Sequence, residues 1–243
     1  YLSWLKVIKN SPIVKIRDVN EGIKTLFLGF PKIASVLIVG RQHPGETMSS
    51  FFIEGLINRL ISQDAISRQL LEKIQIVIVP LLNPDGVICG NHRYDKYGID
   101  YNRSWGEINA PLAIKNIREL ISKFPNLRLF LDIHGDEASR INYAYNQKKE
   151  MAEESRRFLS FIKKHSSDFT PLTSLPFWLR KLKKVFSRET VSSAPGINAV
   201  EYMRDKLGIL ALIYEISAFI TDAKRSSKTG EEMVDALNDY FAA

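Results

Sequence analysis

The sequence predicts an α/β sandwich, a sheet held between layers of helices. Short apolar runs rich in Val and Ile recur at Ser35–Val39, Ile74–Leu82, Leu127–Ile133 and Ile209–Tyr214. Runs of that length with little polar interruption, and none between Val36 and Val39, read as buried strands. Helical patterns alternate with them, which is the signature of a sheet covered on its faces. The chain has 243 residues, 45% of them hydrophobic, enough for one sizeable core and too apolar for a disordered chain.

The first thirty residues are of mixed character, with a short strand expected from Lys24 to Phe30 that ends at Pro31. After Ser35–Val39, the apolar positions Met48, Phe52, Leu56 and Leu60 recur every four residues, and Phe51, Ile53, Ile57 and Ile61 widen the stripe. A helix from about Glu46 to Ser62 follows. Ile74–Leu82 runs into Asn83-Pro84-Asp85-Gly86, a turn by composition. Residues 87–108 carry no period and read as a long loop, a kind that is usually functional in a compact domain. Helices are expected over Ala110–Lys123, Glu150–Lys164, Glu201–Lys206 and Glu231–Phe241. Residues 165–200 give no clear pattern, and no repeat or linker divides the chain.

Composition narrows the function classes. The net charge is +7, weak support for an anionic partner. Arg180, Lys181, Lys183, Lys184 and Arg188 cluster, either as a solvated face or as a dock for an acidic substrate. No nucleic-acid-binding motif is present, so nucleic acid is not an expected partner. Apolar runs fall well short of a membrane span. The single cysteine, Cys89, allows no internal disulfide. No charged-then-apolar leader opens the chain, which begins at Tyr1, and a cytoplasmic location is the expectation.

The chemistry-bearing residues stand at strand ends. His43 follows the first apolar run, His134 the third, and Glu215 the fourth. If these strands run parallel, their carboxyl ends converge on one crevice. His43 and Glu46, three residues apart at a strand-to-helix turn, can offer imidazole nitrogen and carboxylate oxygen to a zinc ion, with His134 as third ligand. Each has a plainer reading: a turn histidine, a helix-start acid complementing the dipole, a satisfied core histidine. Glu215 closes an apolar run, where a lone carboxylate must find a partner or shift its pKa. Beside a metal it is the group needed to take a proton from water; otherwise it is a structural ion pair. Arg93, Asn102 and Arg103 lie in the long loop. A guanidinium there can clamp a carboxylate or stabilise an oxyanion.

Arg41-Gln42-His43-Pro44-Gly45-Glu46-Thr47 resembles the zinc-site signature of the metallocarboxypeptidases, in the branch called cytosolic carboxypeptidases. Leu82–Val87, Gly90–Arg93 and Asp100-Tyr101-Asn102-Arg103-Ser104-Trp105 resemble the next three signatures in order. Asp132–Glu137 is similar to the third-ligand segment of bacterial members. The resemblance runs from about residue 35 to 220 and is jointly specific, because five motifs keep their order.

The resemblance implies a three-layer sandwich with a central mixed, mostly parallel, twisted sheet. It implies one Zn²⁺ per chain held by His43, Glu46 and His134. Glu215 would be general base and later proton donor, and Arg93 would stabilise the oxyanion. Asn102 and Arg103 would bind the free C-terminal carboxylate of a peptide or protein substrate. Some relatives remove glutamate from acidic tails, with which the basic charge is compatible. Tyr101 departs from the usual apolar residue before Asn-Arg, and of the tyrosines only Tyr202 offers itself, weakly, as an active-site tyrosine. Members of this branch carry a preceding β-sandwich domain; with 42 residues before His43, residues 1–243 are expected to be the catalytic domain alone. Two alternatives remain: a zinc deacylase of N-acyl amino acids, as in the aspartoacylase and succinylglutamate desuccinylase group, and a non-catalytic binding module that keeps the fold.

Overall fold

The apolar runs pair side by side. In the computed structural model, which describes residues 8–20, 22–30, 34–145, 152–171 and 196–242, seven strands form one sheet. They are β1 (Val14–Asn20), β2 (Ile23–Leu28), β3 (Ala34–Gly40), β4 (Ile74–Val79), β5 (Leu127–Asp136), β6 (Tyr143–Tyr145) and β7 (Leu210–Ser217), in the order β1-β2-β4-β3-β5-β7-β6. β4, β3, β5 and β7 are parallel neighbours; β2 opposes β4, β1 opposes β2, and β6 opposes β7. Five strands therefore run one way and two the other.

The described helices are α1 (Met48–Ser62), α2 (Ala65–Lys73), the short α3 (Pro84–Ile88), α4 (Leu112–Ser122), α5 (Ala152–His165), α6 (Ala199–Leu207) and α7 (Ala223–Ala242). Strand side chains alternate between faces, and the two faces carry separate cores. Val36, Ile38, Leu131, Leu212 and Tyr214 pack with Phe52 and Leu56 of α1, Leu70 of α2, Phe158 of α5 and Leu237 of α7. Leu37, Val39, Phe130 and Ile213 pack with Ile114 and Ile117 of α4, Met203 of α6, and Trp105. Each such side chain, once buried, contributes about 1.5–3 kcal/mol. Two glycines let α1 and α7 cross closely. A Cβ at Gly55 would lie 1.9 Å from the Ser227 carbonyl oxygen, and one at Gly230 would lie 1.9 Å from that of Phe52.

The chain passes from β3 out to β4, then returns across β3 to β5. Connections thus leave in opposite directions between β3 and β5, the place where open α/β sheets form a ligand crevice. Gly40 at the end of β3 pairs with Ile133, so the turn after β3 emerges beside His134.

Several bounds differ from the sequence expectation. α1 starts at Met48, leaving Glu46 in the preceding turn. β5 and β7 run on to Asp136 and Ser217, so His134 and Glu215 lie within strands rather than after them. The long loop contains α3 and a 3₁₀ turn at Tyr101–Arg103. α2 and the edge strands β1 and β6 are additions. The closing helix begins at Ala223 instead of Glu231. The cluster Arg180, Lys181, Lys183, Lys184 and Arg188 lies outside the described residues, as do Glu150 and Met151 at the start of the expected helix.

Candidate metal centre

The turn after β3 is tightly held. Arg41 adopts a left-handed conformation, φ 56°, a strained backbone that non-glycine residues keep mainly at functional turns. Its guanidinium donates to the Pro44 carbonyl and, at 2.9 Å, to the Ser50 hydroxyl. Gly45 donates its backbone N–H to the His92 carbonyl at 2.7 Å. A Cβ at Gly45 would come 2.9 Å from the His92 ring, so only glycine admits the long loop this close. That loop is shaped by its own side chains. The Asn91 amide donates to the carbonyls of Tyr94 and Asp95, and the Asp95 carboxylate accepts from the N–H groups of Tyr97 and Ile99.

Three side chains meet at the crevice. His43 Nδ1 stands 2.6 Å from Glu46 Oε1, and His134 Nδ1 stands 2.9 Å from Glu46 Oε2. The two imidazole centroids are 4.8 Å apart. His43, Glu46 and His134 are all buried, and one candidate ligand atom from each lies within 4.8 Å of the others. Each ring's other nitrogen faces a carboxylate: His43 Nε2 is 3.3 Å from Asp100 Oδ1, and His134 Nε2 is 2.9 Å from Asp132 Oδ2. Metal-binding histidines are typically oriented this way. Two imidazole nitrogens and one carboxylate, each imidazole backed by an acid, form a donor set that fits zinc.

The charges hold one another. Burial alone would raise Glu46, but the two histidines outweigh it and keep its carboxyl well below the usual range. Burial alone would lower both imidazoles. Glu46 and Asp100 raise His43 instead, and Asp132 with Glu46 raises His134 well above its ordinary value. Asp100 falls to about 2 against its own burial, through His43 and Arg93.

Glu215 pairs in register with His134 across β5 and β7, and with Tyr143 across β7 and β6. Side chains at paired positions share a face, so Glu215 lies on the His134 side of the sheet. Burial pushes its carboxyl up to about 8; His134 opposes this, while Glu46 and Asp136 reinforce it.

Arg93 donates through Nε to Asp100 Oδ2 at 2.7 Å, so Asp100 links it to His43. Arg103 uses one donor on the Asn102 carbonyl, at 2.7 Å. Asn102 is 4% exposed. Its Oδ1 accepts from the Ala199 N–H at 3.1 Å, and its Nδ2 lies 3.3 Å from His134 Nε2. Tyr202 is elsewhere: its ring packs against Trp105 and beneath the Arg118 guanidinium.

Gln42, Asp100, Asp132 and the stacked pair Tyr143 and Tyr145 also border the centre, with no role read for them from sequence. Asp132 had a signal: it is the one acidic residue inside the largely apolar run Leu127–Ile133. Tyr143 hydrogen-bonds Asp136 at 2.7 Å, and burial with Glu215 nearby raises the Tyr145 phenol well above its ordinary value.

Among the described residues no helix is long and apolar enough to cross a membrane. The sequence profile of the family described as zinc carboxypeptidase matches residues 10–236. Cytosolic carboxypeptidase 6 of Mus musculus is 36% identical over 145 residues, covering 56% of this chain and 27% of that protein. The Homo sapiens protein of the same name is 35% identical, with 29% of its length covered. The chain thus spans less than a third of these curated relatives. A metallo-carboxypeptidase structure from Burkholderia cenocepacia superposes with a TM-score of 0.79 at 25% identity, covering 98% of this chain and 67% of that one. A metallo-carboxypeptidase from Pseudomonas aeruginosa, at 23% identity and TM-score 0.79, shares the fold. With the profile covering nearly its whole length, the chain belongs to the zinc carboxypeptidase family.

Proposed function

We propose that the chain is a catalytic domain that removes residues from the C-terminus of peptides or proteins, with one zinc ion held by His43, Glu46 and His134. The observation that carries the reading is the in-register pairing of Glu215 with His134 beside that donor set. When bound, zinc supplies Lewis-acid chemistry, polarising a carbonyl and acidifying water.

The chain's own residues supply the rest. Glu215 accepts a proton from the attacking water at its carboxylate and passes it to the departing amine. Burial raises this carboxyl above the usual carboxylate range, which makes its ionised form a stronger proton acceptor than a free carboxylate. Arg93, oriented by Asp100, turns its terminal amino groups toward the carbonyl oxygen as charge develops there. Arg103 and the Asn102 amide anchor the terminal carboxylate, limiting the enzyme to free C-termini. The names of the curated relatives and the lone cysteine support a cytoplasmic setting.

Zinc-loaded protein offered free-C-terminus peptides, the same peptides amidated, and small N-acyl amino acids tests the reading. Hydrolysis confined to the free peptides is the expected result. An N-acyl amino acid turned over faster than any peptide would assign the chain to deacylation instead.

A further inference from the structure

Behind His134 runs a fully buried chain of polar groups. Trp105, Gln42 and Asp132 are each 0% exposed. Trp105 Nε1 donates to Gln42 Oε1 at 2.8 Å. Gln42 Nε2 lies 2.7 Å from both oxygens of Asp132. Asp132 Oδ2 meets His134 Nε2 at 2.9 Å. Burying an amide, a carboxylate and an indole N–H is costly unless every group is satisfied, so such a network is retained for what it specifies.

Its members are not interchangeable in direction. An indole N–H can only donate, and an ionised carboxylate can only accept. Trp105 therefore turns the Gln42 oxygen toward itself, which leaves the Gln42 nitrogen facing Asp132. Asp132 accepts from Gln42 on one side and needs a donor on the other, which is His134 Nε2–H. Asn102 Nδ2 also approaches that nitrogen, at 3.3 Å. It is a donor, because Asn102 Oδ1 is committed to the Ala199 N–H. The shorter contact and the negative charge of Asp132 decide the competition.

We propose that Trp105, Gln42 and Asp132 form a donor-directed relay that fixes the tautomer of His134, leaving Nδ1 as the lone pair turned to the metal. The three are positioning residues that act through His134. The inference rests on the zinc centre of the proposed function and deepens it. Asp100 backs His43 through one carboxylate contact that Arg93 shares. His134 has the longer support because its ring sits inside a strand, next to Glu215, where a flipped tautomer would disturb ligand and proton carrier together.

The test uses zinc affinity, measured by competition with a chelator, and the ring ¹⁵N shifts of His134 in zinc-loaded protein. Neither readout needs turnover, so failure as a carboxypeptidase and failure of the relay are separable. Asp132→Asn places an amide nitrogen against the Gln42 nitrogen and should weaken zinc binding about 10–100-fold. Gln42→Glu together with Asp132→Asn restores a donor–acceptor match at every contact, with the direction reversed only between positions 42 and 132, while moving the charge one residue outward. This pair should recover much of the lost affinity and the wild-type His134 shifts. Trp105→Phe keeps most of the ring volume but frees the Gln42 amide, and should give mixed His134 tautomers. A folded Asp132→Asn protein with wild-type zinc affinity would overturn the relay, as would a double variant no better than that single one. Should Trp105→Phe not fold, the double exchange decides alone. A wild type that takes up no zinc would overturn the metal centre and the relay with it.

Discussion

His134 and Glu215 are direct partners across the parallel strands β5 and β7, with their side chains on the same face of the sheet. The register of these two strands is fixed by apolar pairs behind them, Leu131 with Leu212 and Phe130 with Ala211, all buried. Slipping one strand by a residue would turn Glu215 into the opposite core. Core packing thus sets the distance between a candidate ligand and a candidate base.

Glu215→Gln keeps the side-chain volume and removes the proton carrier. It should leave zinc stoichiometry unchanged and lower turnover by about 10²–10⁴-fold. Zinc content by atomic absorption and initial rates on one peptide check this together. Normal turnover in a zinc-loaded variant would remove Glu215 from the chemistry.

Metal-free protein should become less stable as pH rises. His43 and His134 are raised above 6.5, so their contribution is whole below that value and is lost as pH climbs through their folded values. Glu215, raised to about 8 from 4.5, acts in the same direction. Glu46 and Asp100 are lowered, and their contribution is lost only on acidification below their ordinary range. The Tm of chelated protein should therefore fall as pH rises from roughly 5, where Glu215 starts to lose its contribution, through the range above 6.5 where the imidazoles lose theirs, while zinc affinity rises as the imidazoles shed protons. Thermal melts with chelator and with zinc read both; a Tm that climbs with pH in chelator would contradict these charge assignments.

Arg103→Ala should raise KM on free-C-terminus peptides about 10-fold or more, because a charge-assisted contact of roughly 1.5–3 kcal/mol is removed. Steady-state kinetics on matched free and amidated peptides decide it. Equal loss on both would show that Arg103 supports the loop instead of the substrate.

Gly230→Ala should destabilise the fold by about 1–3 kcal/mol. In an open helix the same change would stabilise by about 1 kcal/mol. Here the sign reverses because the new methyl meets the Phe52 carbonyl, a backbone atom that cannot rotate away. Urea unfolding measures the difference, and a gain in stability would show that α1 and α7 lie farther apart.

The parallel core was legible in the sequence because a strand buried on both faces carries an unbroken apolar run, as at Val36–Val39 and Ile76–Val79. The edge strands were not. β1 reads Val-Lys-Ile-Arg-Asp-Val-Asn, half exposed, and β6 is three residues long, so neither carries a run that periodicity can detect. α2 lacks a broad apolar stripe; of its nine residues only Ser67 and Leu70 are buried, and Asp64 caps it through its side chain. Spacing at strand ends brought His43, His134 and Glu215 together correctly as neighbours. It gave no hint of Gln42, whose importance comes from what it touches, residues 63 and 90 positions away in sequence. Tyr202 was offered by the family resemblance alone, and in the structure its ring packs against Trp105.

The most direct test of the central claim is mass spectrometry of a mixed library of free-C-terminus peptides, poly-glutamate tails included, incubated with zinc-loaded protein and with the same protein after chelation. Stepwise loss of C-terminal residues with zinc, abolished by chelation and restored on adding zinc back, is the predicted result, and the residues lost first define the preference. A protein that carries about one zinc per chain yet leaves every peptide intact would contradict it.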